Sequence, residues 1–352
     1  MRKILSIKNF LLTLGIIILI IIGNQLIINY TQKPVKMVEL QSIWTDTEIQ
    51  TSNLTTKSIV TWDNNRLRMF NFTGETTEEV IGNGFFTNIY YFGDDIAVLD
   101  KQLNVLYTYN STGDLKDKTQ LTGSVYSIFK KGSDIYLHKK EDLTTQRLET
   151  ISKLKGDGKE SPLYQTDKFI VNFQLEGSEL LISEIAAENY AYKSTLHVIK
   201  GGKTKTYDFG NETILDMKKY GNKIIAVSNK NLYSLQDSKR EKVELNKFKD
   251  YVFENNRIGI LYNNRLVFFN ENLAEREAFD LGITTTGLIL HDGGYFVYGP
   301  TDMVGYIGQK RQFKKSFDSI VYGVSSNNRT MLITHKYNTE LYGFEVIEEG
   351  TN

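Results

Sequence analysis

Short apolar runs alternate with polar turns along most of the chain, and one arrangement of them returns. An apolar run leads into a turn rich in Gly, Asn or Asp, and a second apolar run follows it. This arrangement occurs at residues 90–100, 128–138, 219–228 and 253–262. Runs of Ile, Val, Phe and Tyr bounded by such turns are typical of β-strands. We therefore predict strands and turns from Met37 onward, and we interpret the best helical candidate, residues 183–192, as a long loop between two strands.

The turn between the first and second strand of each unit marks a repeat. The aligned turn residues are Gly93, Gly132, Gly177, Gly221, Asn255, Gly293 and Asn327, with spacings of 34 to 45 residues. A further unit with its turn at residues 63–65 precedes them, and a weaker fourth segment follows most hairpins. Three strong strands and one half-solvated outer strand per unit, at a period of about 40 residues, predict an all-β fold, a β-propeller of about eight four-stranded blades.

The predicted ring has to close, because an open ring exposes two strand edges. The last unit, at residues 331–347, lacks an outer strand, and residues 35–40 have a suitable apolar pattern to supply it. Residues 43–56 would then give the first blade its inner strand. Seven blades is the main alternative, since the long third and fourth spacings leave the count open there. A β-helix is less favoured, because its repeats are much shorter.

Two predicted turns carry a family resemblance. Residues 71–75 and 110–114 both contain Thr-Gly and resemble the turn between the outer strands of quinoprotein-like repeats. The rhythm of residues 37–350 likewise resembles the broad superfamily of quinoprotein-like and WD-like propellers, without a specific subfamily. The Trp that usually follows that turn is absent here, since the only Trp residues are Trp44 and Trp62. The resemblance therefore implies a propeller without a quinone, and we predict no cofactor. It also implies an interaction scaffold, which is what most membrane-anchored or periplasmic propellers of this kind are.

The N-terminus predicts a membrane anchor. Residues 1–9 carry Arg2, Lys3 and Lys8, and an uncharged segment of 19 residues then runs from Phe10 to Ile28. As a helix this segment would be about 28 Å long, which matches the hydrocarbon core of a lipid bilayer. The preceding cations keep the N-terminus cytoplasmic. We predict a single-pass signal-anchor at residues 10–28, a tether at 29–36 and an extracytoplasmic propeller at 37–352; cleavage of a signal peptide after Gly23 is the alternative.

Composition narrows the partners and the compartment. Lys and Arg number 42 and so do Asp and Glu, so the chain has no basic surplus of the kind that nucleic-acid binding needs. Cysteine is absent, which excludes disulfides, thiolate metal sites and a Cys nucleophile. Together with the anchor, this composition indicates the outer side of a bacterial cell membrane.

No recognisable catalytic or metal set is present. The histidines His138, His197, His291 and His335 fall in separate units, and we interpret them as strand residues rather than metal ligands. The acidic pair 94–95 lies in a turn, where Asp suits the backbone. Residues 155–160 resemble part of a calcium loop but lack its spaced acidic ligands, so a flexible loop is predicted there. We assign no catalytic or metal-binding residue, and an enzyme is not favoured.

Aromatic residues are the remaining candidates for a site. Exposed tyrosines often contact proteins or sugars. The candidates are Tyr90, Tyr91, Tyr190, Tyr192, Tyr295 and Tyr298, with packing between blades as the alternative role. The function predicted from the sequence is a protein-binding scaffold in a bacterial cell-envelope complex, whose partner is another envelope or membrane protein. The alternatives are a propeller enzyme acting on envelope glycan or peptide and a small-ligand sensor domain.

Overall fold

A computed structural model describes residues 35–63, 65–81, 86–142, 147–156, 158–188, 191–254, 257–291, 294–308, 310–327 and 330–347. In these ranges the chain forms eight antiparallel sheets of four strands each. The prediction of an eight-bladed propeller is confirmed, and the seven-bladed alternative is wrong. The predicted span at residues 10–28 lies outside the described ranges. Where the chain is described, it contains no helix with the length and apolarity needed to cross a membrane.

The strands follow one another blade by blade. The ring closure and blades 1 and 2 comprise β1 (Val35–Trp44), then β2 (Thr51–Leu54), β3 (Ser58–Trp62), β4 (Arg66–Asn71) and β5 (Thr76–Val80), then β6 (Thr87–Phe92), β7 (Asp95–Asp100), β8 (Val105–Tyr109) and β9 (Leu115–Gln120). Blades 3 and 4 comprise β10 (Val125–Lys131), β11 (Asp134–Asp142), β12 (Arg147–Leu154) and β13 (Glu160–Thr166), then β14 (Phe169–Glu176), β15 (Glu179–Glu188), β16 (Ala191–Lys200) and β17 (Lys203–Gly210).

The second half of the ring repeats this order. Blades 5 and 6 comprise β18 (Ile214–Tyr220), β19 (Lys223–Ser228), β20 (Asn231–Gln236) and β21 (Lys239–Glu244), then β22 (Asp250–Phe253), β23 (Arg257–Leu261), β24 (Arg265–Asn270) and β25 (Glu275–Asp280). Blades 7 and 8 comprise β26 (Gly287–His291), β27 (Gly294–Tyr298), β28 (Asp302–Ile307) and β29 (Lys310–Ser316), then β30 (Gly323–Ser326), β31 (Thr330–Thr334) and β32 (Asn338–Val346), which β1 completes.

The core lies between neighbouring blades, and it explains the graded strength of the strand pattern. In blade 2, Ile96 and Val98 of the second strand are fully buried, whereas the outer strand β9 is exposed along most of its length. Ile96 and Val98 pack with Trp62 and Met69 of blade 1 in one cluster. The second and third strands therefore carry the apolar residues that join the blades, and the outer strand needs few of them.

The N-terminal strand closes the ring as predicted. β1 pairs antiparallel with β32 from Val35 opposite Val346 to Trp44 opposite Asn338. The register shifts between Glu39 and Gln41, and the bulged Leu40 lies against Gly343. This pairing protects the edge of the last blade, and β2 then supplies the inner strand of blade 1, also as predicted.

The connections divide the ring into two faces. We call one the turn face; it carries the connections from first to second and from third to fourth strand. We call the other the crossover face; it carries the connections from second to third strand and from each outer strand to the next blade. Gly93 and Gly132 lie on the turn face with φ of 65° and 60°, a left-handed conformation that glycine adopts without strain. β1 begins on the turn face at Val35 and ends on the crossover face at Trp44.

One local prediction is wrong. Residues 183–192 were expected to form a loop, but most of them belong to β15 and β16, which pair over ten residue pairs, from Glu179 opposite Lys200 to Glu188 opposite Ala191. Ser183 and Glu184 are buried there, so tertiary pairing overrides the weak strand propensity of this segment. The loop predicted at residues 155–160 contains residue 157, which lies outside the described ranges.

Candidate functional site

Most of the large apolar side chains that stay exposed lie on the crossover face. We call this set the apolar arc: Trp44, Phe86, Leu103, Tyr126, Phe169, Val171, Tyr192, Ile320, Tyr322 and Tyr337. They occupy interblade connections or the ends of strands beside them. Among the described residues, the crossover sides of blades 5 and 6 contribute none. Exposed apolar residues grouped on one face of a protein mark interaction surfaces.

A charged network divides the apolar arc. The Arg68 side chain on β4 is 7% exposed and contacts Asp46 at 2.8 Å, Asp63 at 3.0 Å and Glu78 at 2.8 Å. Asp46 belongs to the connection that follows β1, so Arg68 ties the closing segment to blade 1. This network occupies the crossover side of blade 1, where the exposed Val80 ends β5. One part of the arc lies on blades 7 and 8, and the other part lies on blades 2 to 4.

The part on blades 2 to 4 combines aromatic rings with cations. Tyr126 at the start of β10 is 49% exposed. The Lys140 Nζ lies 3.4 Å from the centre of its ring and the Lys101 Nζ lies 5.1 Å from it. The Arg147 guanidinium lies 3.8 Å from the centre of the Phe169 ring. Such cation–aromatic contacts hold the rings in place while leaving them accessible.

A buried carboxylate forms the floor beneath these rings. Glu149 on β12 is fully buried and accepts hydrogen bonds from Arg147 Nε at 2.9 Å, Arg147 Nη2 at 2.7 Å and the Ile170 amide at 2.8 Å. His138 Nε2 lies 2.8 Å from it. Burial lowers the pKa of His138 although Glu149 opposes that shift, so the imidazole is neutral near pH 7 and its Nε2–H donates to Glu149. The floor is thus a satisfied structural cluster.

The sequence-predicted aromatics are dispersed rather than gathered. Tyr192 is 72% exposed and belongs to the apolar arc. Tyr90 and Tyr91 are half-buried on the inner strand β6. Tyr298 is also half-buried, and it covers Gly287 so closely that a Cβ there would clash with its ring. Tyr190 lies outside the described ranges.

Tyr295 differs from the other candidates because it is fully buried. Its ring lies 5.0 Å from that of Phe268 and 5.3 Å from that of Phe279, both on the preceding blade. Its hydroxyl is within hydrogen-bond reach of the Gly308 carbonyl. Tyr295 is therefore a residue of the interblade core and cannot reach a partner.

A polar cleft of about 450 Å³ lies between blades 3 and 4 and contains the arrangement closest to catalytic chemistry. His197 lies 3.1 Å from Glu184 and 2.9 Å from the Thr206 hydroxyl, and Tyr164 donates to Glu184 at 2.7 Å. Burial favours the neutral form of Glu184, but the hydrogen bonds from His197 and Tyr164 outweigh it and lower the pKa of the carboxyl. Thr206 lies in mid-strand on the outer strand β17, opposite His197 of β16.

A second cleft, of about 730 Å³, lies beside Glu212 between the connections of blades 4 and 5. Glu212 already accepts from the hydroxyls of Ser228 at 2.6 Å and Tyr233 at 2.7 Å and from Asn231 Nδ2 at 2.9 Å. These hydrogen bonds tie the connection that precedes blade 5 to the strands β19 and β20. Across the described ranges, no group of three His, Asp or Glu residues is placed to hold a metal ion.

The inner strands contribute two further carboxylates near the axis of the ring. Asp216 on β18 accepts from Asn172 and Gln174 of the preceding blade, both at 3.1 Å. Asp250 on β22 accepts from the Leu288 amide of the next blade at 2.8 Å. Burial raises the pKa of both groups. Both carboxylates therefore link neighbouring blades rather than form a catalytic pair.

Comparison with known proteins supports the fold. No family model and no curated protein matches the chain. Among solved structures it is similar to BamB from Moraxella catarrhalis, with a TM-score of 0.59 and 12% identity over 88% of this chain and 100% of that one. It is also similar to apo AztD from Citrobacter koseri, with a TM-score of 0.55 and 9% identity over 90% of this chain and 97% of that one. These neighbours are β-propellers, which agrees with the eight-bladed propeller fold of this chain.

Proposed function

We propose that this protein is a propeller anchored in a bacterial cell membrane that binds another envelope or membrane protein with its crossover face. The observation that carries the proposal is the apolar arc. Its members come from five blade regions, yet they share one face and stay exposed. Buried in an interface, aromatic residues of this kind contribute much of the binding free energy. A scaffold needs such a surface and needs no catalytic set.

The position of β1 supports this orientation. The predicted span at residues 10–28 precedes β1, and β1 begins on the turn face at Val35. An anchor attached there by a short tether would hold the turn face toward the bilayer. The crossover face would then point away from the membrane and be accessible to a partner.

The enzyme and the ligand-sensor alternatives have less support. The carboxylates of both clefts are already bonded within the protein. The relay from Glu184 through His197 ends at the Thr206 hydroxyl, a secondary alcohol in the middle of an outer strand. Neither cleft presents an arrangement that distinguishes a substrate.

Site-specific photo-crosslinking in native membranes tests the proposal. A photo-reactive residue would replace Tyr192 or Tyr322 on the crossover face, or Phe72, which is exposed at a turn-face turn and serves as the control. We expect one discrete crosslinked protein from Tyr192 and Tyr322 and none from Phe72. The proposal would be contradicted if none of the three positions gives a crosslinked product and the chain is monomeric after gentle detergent extraction.

A further inference from the structure

We propose that the crossover side of blades 2 to 4 binds an acidic segment of a protein, with carboxylates on Lys101 and Lys140 and apolar side chains against Tyr126 and Phe169. We call these four residues the Lys–aromatic site. The proposal rests on the proposed function and names the chemistry of the partner. It concerns one part of the apolar arc only.

Among the described residues, neither lysine of the site has a carboxylate of its own, since Lys140 shares Glu149 with Arg147. Both Nζ atoms approach the same Tyr126 ring. Within the described chain, the contacts of Lys101 are neutral: this ring and the Asn88 side-chain oxygen, which accepts from Lys101 Nζ at 3.1 Å when its amide is correctly oriented. Lys140 lies 3.9 Å from Glu149, whose oxygens are already bonded to Arg147 and His138. A bound carboxylate would therefore relieve repulsion between two like charges.

The electrostatics of Lys101 agree with that geometry. Burial, followed by the charge of the neighbouring Lys140, lowers the pKa of Lys101. An anion placed between the two ammonium groups would oppose both effects and form charge-assisted hydrogen bonds. The cations are also held in position, because Lys140 stacks on Tyr126 and Tyr126 packs edge-on against the buried His138, with ring centres 5.3 Å apart.

The aromatic part of the site identifies the ligand as a protein segment. Tyr126 and Phe169 are 49% and 46% exposed and lie at the starts of inner strands on neighbouring blades. A phosphate polymer would use the lysines and leave these rings in water. An extended chain that carries both acidic and apolar side chains would use the lysines and the rings together. The rigid floor under the site limits the ordering that binding requires.

Direct binding tests the inference. The full chain in detergent micelles would be titrated into a fluorescent copolymer of glutamate and tyrosine, with anisotropy as the readout. We expect saturable binding whose affinity falls with added salt. The double variant K101Q/K140Q should bind the copolymer with about tenfold lower affinity than the parent. The matched control is K118Q/K205Q, which removes two lysines that lie on the outer strands β9 and β17. Their Nζ atoms lie 5.3 Å and 4.9 Å from the ring centres of Tyr107 and Tyr207. This variant should bind the copolymer like the parent.

Two further measurements decide the ligand class. Tyr126→Leu should lower the affinity for the copolymer by several-fold and leave the affinity for inorganic polyphosphate unchanged. If unlabelled polyphosphate displaces the fluorescent copolymer as well as unlabelled copolymer does, and Tyr126→Leu does not change the affinity for the copolymer, the site is a general anion site and the inference is wrong. It is also wrong if the copolymer does not bind, or binds the parent and K101Q/K140Q equally.

The outcome is separable from that of the proposed function. If K101Q/K140Q keeps the full crosslinking yield from Tyr192 in membranes, a partner binds the crossover face through other residues, and only this inference fails. If the parent gives no crosslink while the purified chain binds the copolymer through Lys101 and Lys140, the site chemistry holds and the scaffold role fails.

Discussion

Glu149 is a single residue that holds three segments of blades 3 and 4 together. It is fully buried, and its partners are Arg147 of the same strand, His138 of the neighbouring strand and the Ile170 amide of the next blade. A buried carboxylate is tolerated only when its hydrogen-bond capacity is filled, and here it is filled. The aromatic rings above it depend on this arrangement for their position.

Replacing Glu149 by Leu should therefore destabilise the protein strongly. The change leaves the buried His138 and the Ile170 amide without their acceptor, and we expect a loss of about 3 kcal/mol in the free energy of unfolding, measured by urea denaturation. Glu241→Gln, at an exposed position on the outer strand β21, is the control and should stay within about 0.5 kcal/mol of the parent. Equal midpoints for the two variants would show that Glu149 is not structural.

Gly299 is a second residue whose identity is fixed by its surroundings. Its amide donates to the Asp302 carbonyl at 2.7 Å in the turn after β27, and a Cβ on it would collide with the backbone carbonyl of Thr284. Because a backbone atom cannot rotate away, Gly299→Ala should lower the melting temperature by several degrees. Gly156→Ala is the control, since its Cβ would enter open space. A melting curve of G299A that overlays that of G156A would contradict this reading.

Residue identity alone could not locate the site. Tyr192 and Tyr295 were equal candidates from the sequence, yet one is largely exposed and the other is fully buried between blades. Trp44, Tyr126 and Phe169 were missed altogether. Each lies at a strand end, where a period-two pattern no longer indicates which side faces solvent.

At the scale of strands, the repeat carried most of the prediction. The Gly turns and the apolar second strands were sufficient to count eight blades, and the missing outer strand of the last unit correctly indicated β1. The error at residues 183–192 has a physical origin. Ala and Glu favour strands weakly, and only the ten-residue pairing of β15 with β16 makes this segment a strand.

The closure by β1 leads to a test by truncation. Removing residues 1–34 should leave a folded ring, whereas removing residues 1–44 exposes the edge of β32 and should cause aggregation and a much lower melting temperature. Size-exclusion chromatography and thermal unfolding of the two truncated chains measure the difference. The shorter truncation is the control for loss of the N-terminal segment itself. Two chains of equal stability would mean that β1 does not close the ring.

Ion pairs at the start of second strands join neighbouring blades on the turn face. Asp95 contacts Lys130 of the next blade and Lys116 at 2.9 Å, and Glu179 contacts Lys219 of the next blade at 2.6 Å. The hydrogen bond from Lys130 is the main cause that lowers the pKa of Asp95 below its ordinary value of 3.8. The hydrogen bond from Lys219 likewise lowers the pKa of Glu179 below its ordinary value of 4.5. Their contribution to stability is thus present above those values and is lost as the pH falls through the lowered ones.

The double variant D95N/E179Q should accordingly be less stable than the parent at pH 7. The difference should shrink as the pH falls below about 4, because the parent then loses the same charges by protonation. Urea midpoints of both chains between about pH 2.5 and pH 7 would show this convergence. Glu241→Gln, which removes an exposed carboxylate on β21, is the control for loss of a surface charge. A gap between D95N/E179Q and the parent that stays constant with pH would contradict the role of these pairs.

At the scale of the whole molecule, the ring brings together what the sequence separates. Tyr126 and Tyr322 are about half the chain apart, yet the eightfold arrangement places both on the crossover face. The fold could be predicted because each blade repeats a local pattern. The apolar arc could not, because its members occupy different positions in their units and carry no common spacing.

The predicted anchor places the N-terminus and the propeller on opposite sides of the membrane. Because the chain has no cysteine, single introduced cysteines can test this membrane topology. Single cysteines would be introduced as Ser6→Cys, before the predicted span, and as Ser238→Cys, at the exposed turn between β20 and β21. A membrane-impermeant maleimide should label Ser238→Cys in intact spheroplasts and Ser6→Cys only after permeabilisation, because cations before a span keep that end cytoplasmic. The parent chain, which has no thiol, controls for background. Labelling in the opposite pattern would invert the proposed orientation, and loss of the Ser6→Cys label together with a smaller product would indicate cleavage instead of anchoring.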